Sequence, residues 1–392
     1  MITNNRKNLF CTICLMALAP LLLVCCSDDE TTGYDIESCV EDELSQMTLR
    51  EKVGQMFIVR PESLDSTIHW TSSSELPQYK TRSVNNVMAD VNRNYPVGGI
   101  ILFAYNIDNE EQLSNYISQI RKLNGSPLLC IDEEGGSVAR IANNQNFNVP
   151  KYESMAAIGG SGDPINAYNA ANNIGKYLKT YGFDINFAPV ADVNTNPDNI
   201  VIGKRAFSSD PQIAAPMVVN YLQGLHDAGI IGCLKHFPGH GDTHADTHYG
   251  FAETRKTWEE MSVCEMITFK AGIAAGAQFV MTAHIAAPEV TGNNLPSTLS
   301  EVMLQDKLRR ELGYKNIIIT DAMEMGAITQ LMSGGEAAVK TIEAGADIVL
   351  CPQNFLSSFD YVVKAVESGR ISRQRIDNSV RRILTLKKRI QR

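Results

Sequence analysis

Eight short apolar runs, each followed by a longer amphipathic stretch, limit the topologies open to this chain. They lie at Gln55–Arg60, Gly99–Phe103, Leu128–Asp132, Ile185–Val193, Gly232–Phe237, Phe279–Ile285, Asn316–Asp321 and Asp347–Cys351. Near-continuous apolar runs of this length mark strands covered on both faces, and parallel neighbours need a crossover of about helix length. The intervening segments supply it. Leu113, Tyr116, Ile117 and Ile120, and again Met217, Val218, Tyr221, Leu222 and Leu225, fall three and four apart, which is one face of a helix. Thr48 and Glu51 form a capping box at the start of the first helix, and Ile376, Val380, Ile383, Leu384 and Leu386 mark a closing one. Eight such units over residues 46–392 predict an α/β fold, a single (β/α)8 TIM barrel. A doubly wound open sheet is the alternative, but no glycine-rich phosphate turn follows the first run. The polar, turn-rich segments 61–83 and 137–165 read as loops over the barrel mouth.

Composition narrows the partners. The 392 residues are 44% hydrophobic, ample for one large core, and 44 acidic against 35 basic residues give a net charge of −9. With no basic run beyond Lys387-Lys388-Arg389, nucleic acid is excluded as a partner. Of nine cysteines, Cys11, Cys14, Cys25 and Cys26 fall in the first 26 residues, and the others lack disulfide or zinc spacing. Cys130, Cys233 and Cys351 read as small buried hydrophobes within strands.

Residues 1–26 read as a secretion signal outside the fold. Arg6-Lys7 precede an apolar run from Leu9 to Cys25 that ends Leu22-Leu23-Val24-Cys25-Cys26 and gives way to Ser27-Asp28-Asp29-Glu30. This resembles a bacterial lipoprotein signal with a cysteine at the cleavage site, which implies that Cys26 carries the lipid. An uncleaved transmembrane anchor is the weaker reading, because the run is only about long enough to span a bilayer and holds Thr12 and Pro20. Residues 27–45 then read as an acidic linker. The expected location is the bacterial cell envelope: an outer-membrane lipoprotein, periplasmic or surface-exposed, held by its lipid alone and acting as a monomer.

Active sites of such barrels form at the C-terminal ends of the strands. Asp132 closes the third run, Asp192 the fourth, Lys235 and His236 the fifth, His284 the sixth and Asp321 the seventh. Each alone could cap a helix or satisfy a buried hydrogen bond; together they outline a polar pocket. The segment Lys235–His248 holds four of the seven histidines at four-residue intervals, a spacing that suggests a metal-binding helix face. Pro238, Gly239 and Gly241 would break that helix, so the segment is a loop and no metal is expected. In an extended loop residues two apart point the same way, so Asp246 can reach His248, fix its tautomer and raise its basicity. That builds a general acid/base for near-neutral pH. Taken alone, Asp246-Thr247-His248 is more often a solvated Asx-turn.

The run Lys235–His248 resembles the signature loop of the family 3 glycoside hydrolases, in the NagZ-type β-N-acetylglucosaminidase branch. Matching segments recur along residues 46–352: Ile131-Asp132-Glu133-Glu134-Gly135-Gly136 with Arg140, Asn186–Val193, Gly203–Phe207, Met281–His284 and Thr320–Met325. The resemblance implies a (β/α)8 barrel, no cofactor, Asp321 as nucleophile, and His248 as acid/base oriented by Asp246. It also implies sugar contacts from Asp132, Arg140, Arg205, Lys235 and His236. Many relatives carry a second domain that supplies a carboxylic acid/base; this chain ends too soon for one, which leaves the Asp246–His248 loop as the source. Ser137 stands where an arginine is frequent, Glu133 where glutamine is, and Thr247 where serine is.

The implied activity is a retaining exo-glycosidase, a β-N-acetylhexosaminidase acting on a GlcNAc-terminated glycan or peptidoglycan fragment. The alternatives are a β-glucosidase, a phosphorylase, since a neutral imidazole does not repel phosphate, a silent glycan-binding lipoprotein, or a metal-dependent hydrolase.

Overall fold

A computed structural model describes residues 29–70, 72–243 and 252–390. The eight apolar runs all form strands: β1 (Phe57–Val59), β2 (Gly99–Leu102), β3 (Leu128–Ile131), β4 (Ile185–Asn186), β5 (Ile231–Phe237), β6 (Phe279–Thr282), β7 (Ile317–Thr320) and β8 (Val349–Leu350). They pair in parallel in the order β7-β6-β5-β4-β3-β2-β1-β8. A parallel bridge between Ile319 and Ile348 joins the two ends, with Thr320 N–H donating to Ile348 O and Ile348 N–H to Ile318 O, each at 3.1 Å. The ring is therefore the (β/α)8 barrel that the sequence predicts.

Two strands stop earlier than the apolar pattern suggests. β4 ends at Asn186, well short of Val193, and Pro189 has no N–H to give to a ladder; the stretch beyond keeps irregular contact with β5, through Cys233 N–H to Ala188 O at 2.8 Å and the bridge Val190–Lys235. β6 ends at Thr282, and Ile285–Ala286 pairs instead with Ala252–Glu253 outside the barrel.

The predicted helical faces are the buried ones. Glu110–Ile120 buries Leu113, Tyr116, Ile117 and Ile120, and Pro211–Asp227 buries Met217, Val218, Tyr221, Leu222 and Leu225. The capping box is present: Thr48 N–H donates to Glu51 Oε2 at 2.8 Å and Glu51 N–H to Thr48 Oγ1 at 3.3 Å. Cys130, Cys233 and Cys351 are buried free thiols. Segments 61–83 and 137–165 are more ordered than plain loops, holding the short 3-10 turns Pro61–Leu64 and Ser73–Gln78 and the helix Met155–Gly160.

The stretch read as an acidic linker needs correction, for Asp29–Gln46 is a helix docked on the closing helix Arg373–Ile390. Ile36, Val40 and Leu44 are spaced by four and make an apolar stripe; Val40 and Leu44 are buried. Its acidic residues meet basic ones, Glu41 pairing with Arg381 and Glu43 with Lys388 at 2.6 Å. The many acidic side chains masked the stripe in the sequence. Among the described residues no helix is long and apolar enough to cross a membrane.

At the N-terminal end of β8 a buried carboxylate ties the closing helix to the barrel. Asp347 accepts from Arg309 at 2.5 Å, Ile318 N–H at 3.0 Å, Ser379 Oγ at 2.5 Å and Arg382 at 2.9 Å. Burial alone would raise its pKa, but Arg309, Arg382 and Arg375 outweigh it and hold the carboxyl below the usual aspartate value. Replacing Asp347 by alanine leaves those guanidiniums without their counter-charge, and stability should fall by about 3–5 kcal/mol, read from urea midpoints at pH 7. A group with a depressed folded-state pKa stabilises above its unfolded value and loses that contribution as pH falls through the folded one. The gap between wild type and variant should therefore close on acidification below about pH 4.

Candidate active site

The strand tips bring the polar residues together. Asp132 and Glu134 lie two apart past β3, so both side chains turn to the mouth while Glu133 turns away. Glu133 accepts from the backbone N–H groups of Arg140, Ile141 and Ala142 and from the Tyr177 hydroxyl. That carboxylate fixes the turn on which Arg140 stands. Four donors directed at two oxygens suit a glutamate better than the glutamine frequent at this position, because a carboxylate only accepts.

Lys235, from β5, reaches both mouth carboxylates, with its Nζ 2.8 Å from Asp132 Oδ1 and 2.5 Å from Glu134 Oε1. Arg205 grips Glu134 in two-pronged fashion, Nε to Oε2 at 2.8 Å and Nη2 to Oε1 at 2.7 Å, the geometry that makes such pairs strong. Arg140 lies 3.5 Å from the other oxygen of Asp132. Burial works to raise the pKa of Glu134, but Arg205 and Lys235 hold it far below the ordinary carboxylate range. Lys235 is raised in turn, since Asp132 and Glu134 outweigh its own burial.

His236 is held by the buried Asp192, whose Oδ2 lies 2.7 Å from Nδ1. A carboxylate can only accept, so Nδ1 carries the proton and Nε2 faces Arg205 at 3.5 Å. Asp192 also accepts from His240 N–H at 2.7 Å, and although burial would raise its pKa, the two histidines lower it. His240 is buried, with Nδ1 2.7 Å from Thr243 Oγ1; burial and the neighbouring His236 lower its pKa.

Asp321 follows β7. Its N–H donates to Thr282 O at 3.0 Å, and its Oδ1 accepts from Ala322 N–H at 2.7 Å. His284 bonds Thr298 Oγ1 at 2.9 Å and Ala322 O at 3.0 Å, so this strand-end histidine supports the backbone beside Asp321 from behind.

A cavity of about 270 Å³ gathers Asp132, Arg140, Arg205, Lys235, His236 and Asp321, with Phe103 and Met281 among its apolar walls. Asp246, His248 and Cys26 lie outside the described residues. The flanks of segment 244–251 are anchored: Asn196 Nδ2 donates to Thr243 O at 3.0 Å, and Thr254 Oγ1 to Asp242 Oδ2 at 2.9 Å. The sequence marks Asp192 for the polar pocket by its place in the fourth run, but not Glu134 or His240. For Glu134 the signal was its two-residue offset from Asp132; His240 lines the cavity itself, Asp192 bonds both histidines, and only the fold joins the three.

A closed barrel whose mouth holds a small cavity crowded with fixed hydrogen-bond donors and acceptors defines a TIM-barrel protein with a polar pocket at the strand tips. The chain belongs to glycosyl hydrolase family 3, whose N-terminal domain profile matches residues 48–386. It is similar to Beta-hexosaminidase A of Pseudoalteromonas piscicida, with 33% identity over 319 residues that cover 75% of this chain and 53% of that protein. A Beta-hexosaminidase of Stenotrophomonas maltophilia is 35% identical over 260 residues, covering 65% of this chain and 76% of the relative. Among solved structures, a family 3 β-N-acetylglucosaminidase from Paenibacillus sp. FPU-7 superposes with a TM-score of 0.77 at 36% identity, over 88% of this chain and 63% of that one. Mycobacterium tuberculosis LpqI superposes with a TM-score of 0.74 at 27% identity, over 89% and 96%. The chain thus spans about half the length of the Pseudoalteromonas relative and under two thirds of the Paenibacillus one.

A double-mutant cycle tests the charge cluster. Lys235→Met alone should cost about 3–5 kcal/mol, because it strips the buried Glu134 and the half-buried Asp132 of their shared cation. In a Glu134→Gln background the same change should cost distinctly less, and additive losses would contradict the coupling.

Proposed function

We propose that this chain is a retaining exo-glycosidase that releases terminal β-linked N-acetylglucosamine. The observation that carries the reading is the Asp321 carboxylate, which lines the same small cavity as Asp132, Arg140, Arg205, Lys235 and His236. Further support comes from the names of the relatives at 33% and 35% identity.

In this reading Asp321 attacks the anomeric carbon and forms a covalent glycosyl-enzyme as the glycosidic bond breaks. His248, oriented by Asp246, gives its proton to the departing oxygen. It then takes one from the water that releases the sugar and regenerates Asp321. Asp132, Arg140, Arg205, Lys235 and His236 bind the sugar, their geometry set before it arrives. The chain acts as a monomer held in the cell envelope by a lipid on Cys26, in the outer membrane on the periplasmic or outer surface; the lipoprotein-like run before Cys26 supports this part.

Phenol release from aryl β-N-acetylglucosaminide and aryl β-glucoside, measured in parallel, should favour the N-acetyl sugar. Preference for glucose would overturn the substrate assignment. Added phosphate should neither speed turnover nor yield a sugar 1-phosphate. His248→Ala should slow substrates with poor leaving groups far more than activated aryl glycosides, since only the former need protonation on departure; equal losses would count against the acid role. Cys26→Ser should release the protein from the membrane fraction, and its retention there would contradict the lipid anchor.

A further inference from the structure

A second cleft opens on the same face of the barrel. It encloses about 280 Å³ between the segment after β1 and the start of the helix Phe355–Glu367 after β8, with Glu62, Ser63, Asp65, His69, Trp70 and Asn354 in its walls. Arg60 stands between this cleft and the cavity of Asp321. Its guanidinium lies 4.3 Å from the ring centroid of Phe103, in the first cavity, and 6.0 Å from that of Trp70, in the second. The two rings are thus no more than about 10 Å apart. The partition is fixed: Arg60 is 4% exposed, bonds the Tyr105 hydroxyl at 2.6 Å and pairs with Glu324, three residues past Asp321.

The cleft has polar groups to offer. Glu62 is 1% exposed and its Oε1 accepts from Asn106 at 2.7 Å, but its Oε2 has no partner in hydrogen-bond geometry, nor does Ser63 Oγ. Buried polar atoms left this way are uncommon and call for an explanation. Burial pushes the Glu62 carboxyl up. Asp65 differs: burial raises it, yet hydrogen bonds from Thr67 and Asn85 prevail and keep it an anion. Trp70 is half-buried, and Tyr79 fixes the chain beside it by donating to His69 O at 2.7 Å. Among the described residues lining the cleft none is lysine or arginine. The first turn of the helix Phe355–Glu367 is capped by its own Asn354, which accepts from Ser357 N–H at 3.2 Å.

An indole beside a carboxyl with one oxygen unmatched and an unmatched hydroxyl suits a pyranose, with one apolar face and a rim of hydroxyls. We infer that this cleft receives the leaving-group sugar of a β-linked chain, and that it selects an uncharged sugar over one bearing a carboxylate. The inference rests on the glycosidase reading above. The cavity of Asp321 holds the sugar that is cleaved off, and the leaving group must lie outside it, with this cleft on the same face of the barrel. A carboxylate there would meet the Asp65 anion with no lysine or arginine among the described cleft-lining residues to offset it.

The test compares kcat/KM for three substrates: N-acetyl-β-glucosaminyl fluoride, whose leaving group is one atom, the β-1,4-linked GlcNAc disaccharide, and GlcNAc β-linked to muramic acid. Wild type should favour the uncharged disaccharide over the muramic one. Trp70→Ala should lower the disaccharide value by about tenfold through loss of the stacking face and leave the fluoride nearly unchanged, while Trp70→Phe should restore most of the loss. Ser66→Lys, at an exposed position in the cleft wall, should raise the muramic value relative to the neutral one. The inference falls if Trp70→Ala depresses fluoride and disaccharide alike, if it leaves the disaccharide unchanged, or if wild type prefers the muramic substrate. No turnover of any of the three by wild type would instead overturn the glycosidase reading itself.

Discussion

One ammonium bridges two carboxylates at the mouth of this barrel, and the rest of the site is arranged around that shared contact. Lys235 bonds Asp132 and Glu134 together. Glu134 is nearly inaccessible and leans as well on the two-pronged grip of Arg205. Asp132, more open, has Arg140 at longer range as a second cation. Burying such charges is costly unless each has its partner, so the tips of β3 and β5 and the turn carrying Arg205 are locked in one relative position. In the proposed reading, a sugar hydroxyl entering the cavity meets donors and acceptors that are already aimed, which is the preorganisation that catalysis requires.

Asp321 is placed by different means. Backbone bonds from Asp321 N–H and Ala322 N–H, with His284 behind them, set its carboxylate, and the buried pair Arg60–Glu324 holds the segment that follows. Backbone donors thus help to hold Asp321, while the cations grip Asp132 and Glu134 in the same cavity. At the other end of the barrel Asp347 and its arginines bind the closing helix to β7 and β8. Ion pairs thus tie the closing helix to the barrel at the N-terminal face and line the cavity at the C-terminal one, in keeping with the division of labour usual in such barrels.

The barrel was legible because parallel strands buried on both faces are written as continuous apolar runs, and eight of them leave few closed arrangements. Strand ends were less so: β4 stops at Asn186, inside a run that reads as strand on hydropathy alone. The first helix escaped notice because Ile36, Val40 and Leu44 are interleaved with acidic residues, and its helical character shows only when their four-residue spacing is set against a partner face. Within the site, residues that meet the cavity directly, Asp132, Lys235, His236 and Asp321, were marked by their positions at strand tips. Glu134 needed the two-residue alternation to be carried past the strand, and the grip of Asp192 on His236 and His240 depends on contacts across the sequence that no local pattern encodes.

The central claim is that Asp321 becomes covalently bonded to the sugar. A fluorinated N-acetylglucosaminyl donor that forms the glycosyl-enzyme quickly and releases it slowly allows direct capture, followed by intact-mass measurement and sequencing of the labelled peptide. A gain of one sugar on the peptide containing Asp321 is the expected result. An adduct on another residue, or turnover of the parent substrate with no adduct at all, would contradict the account.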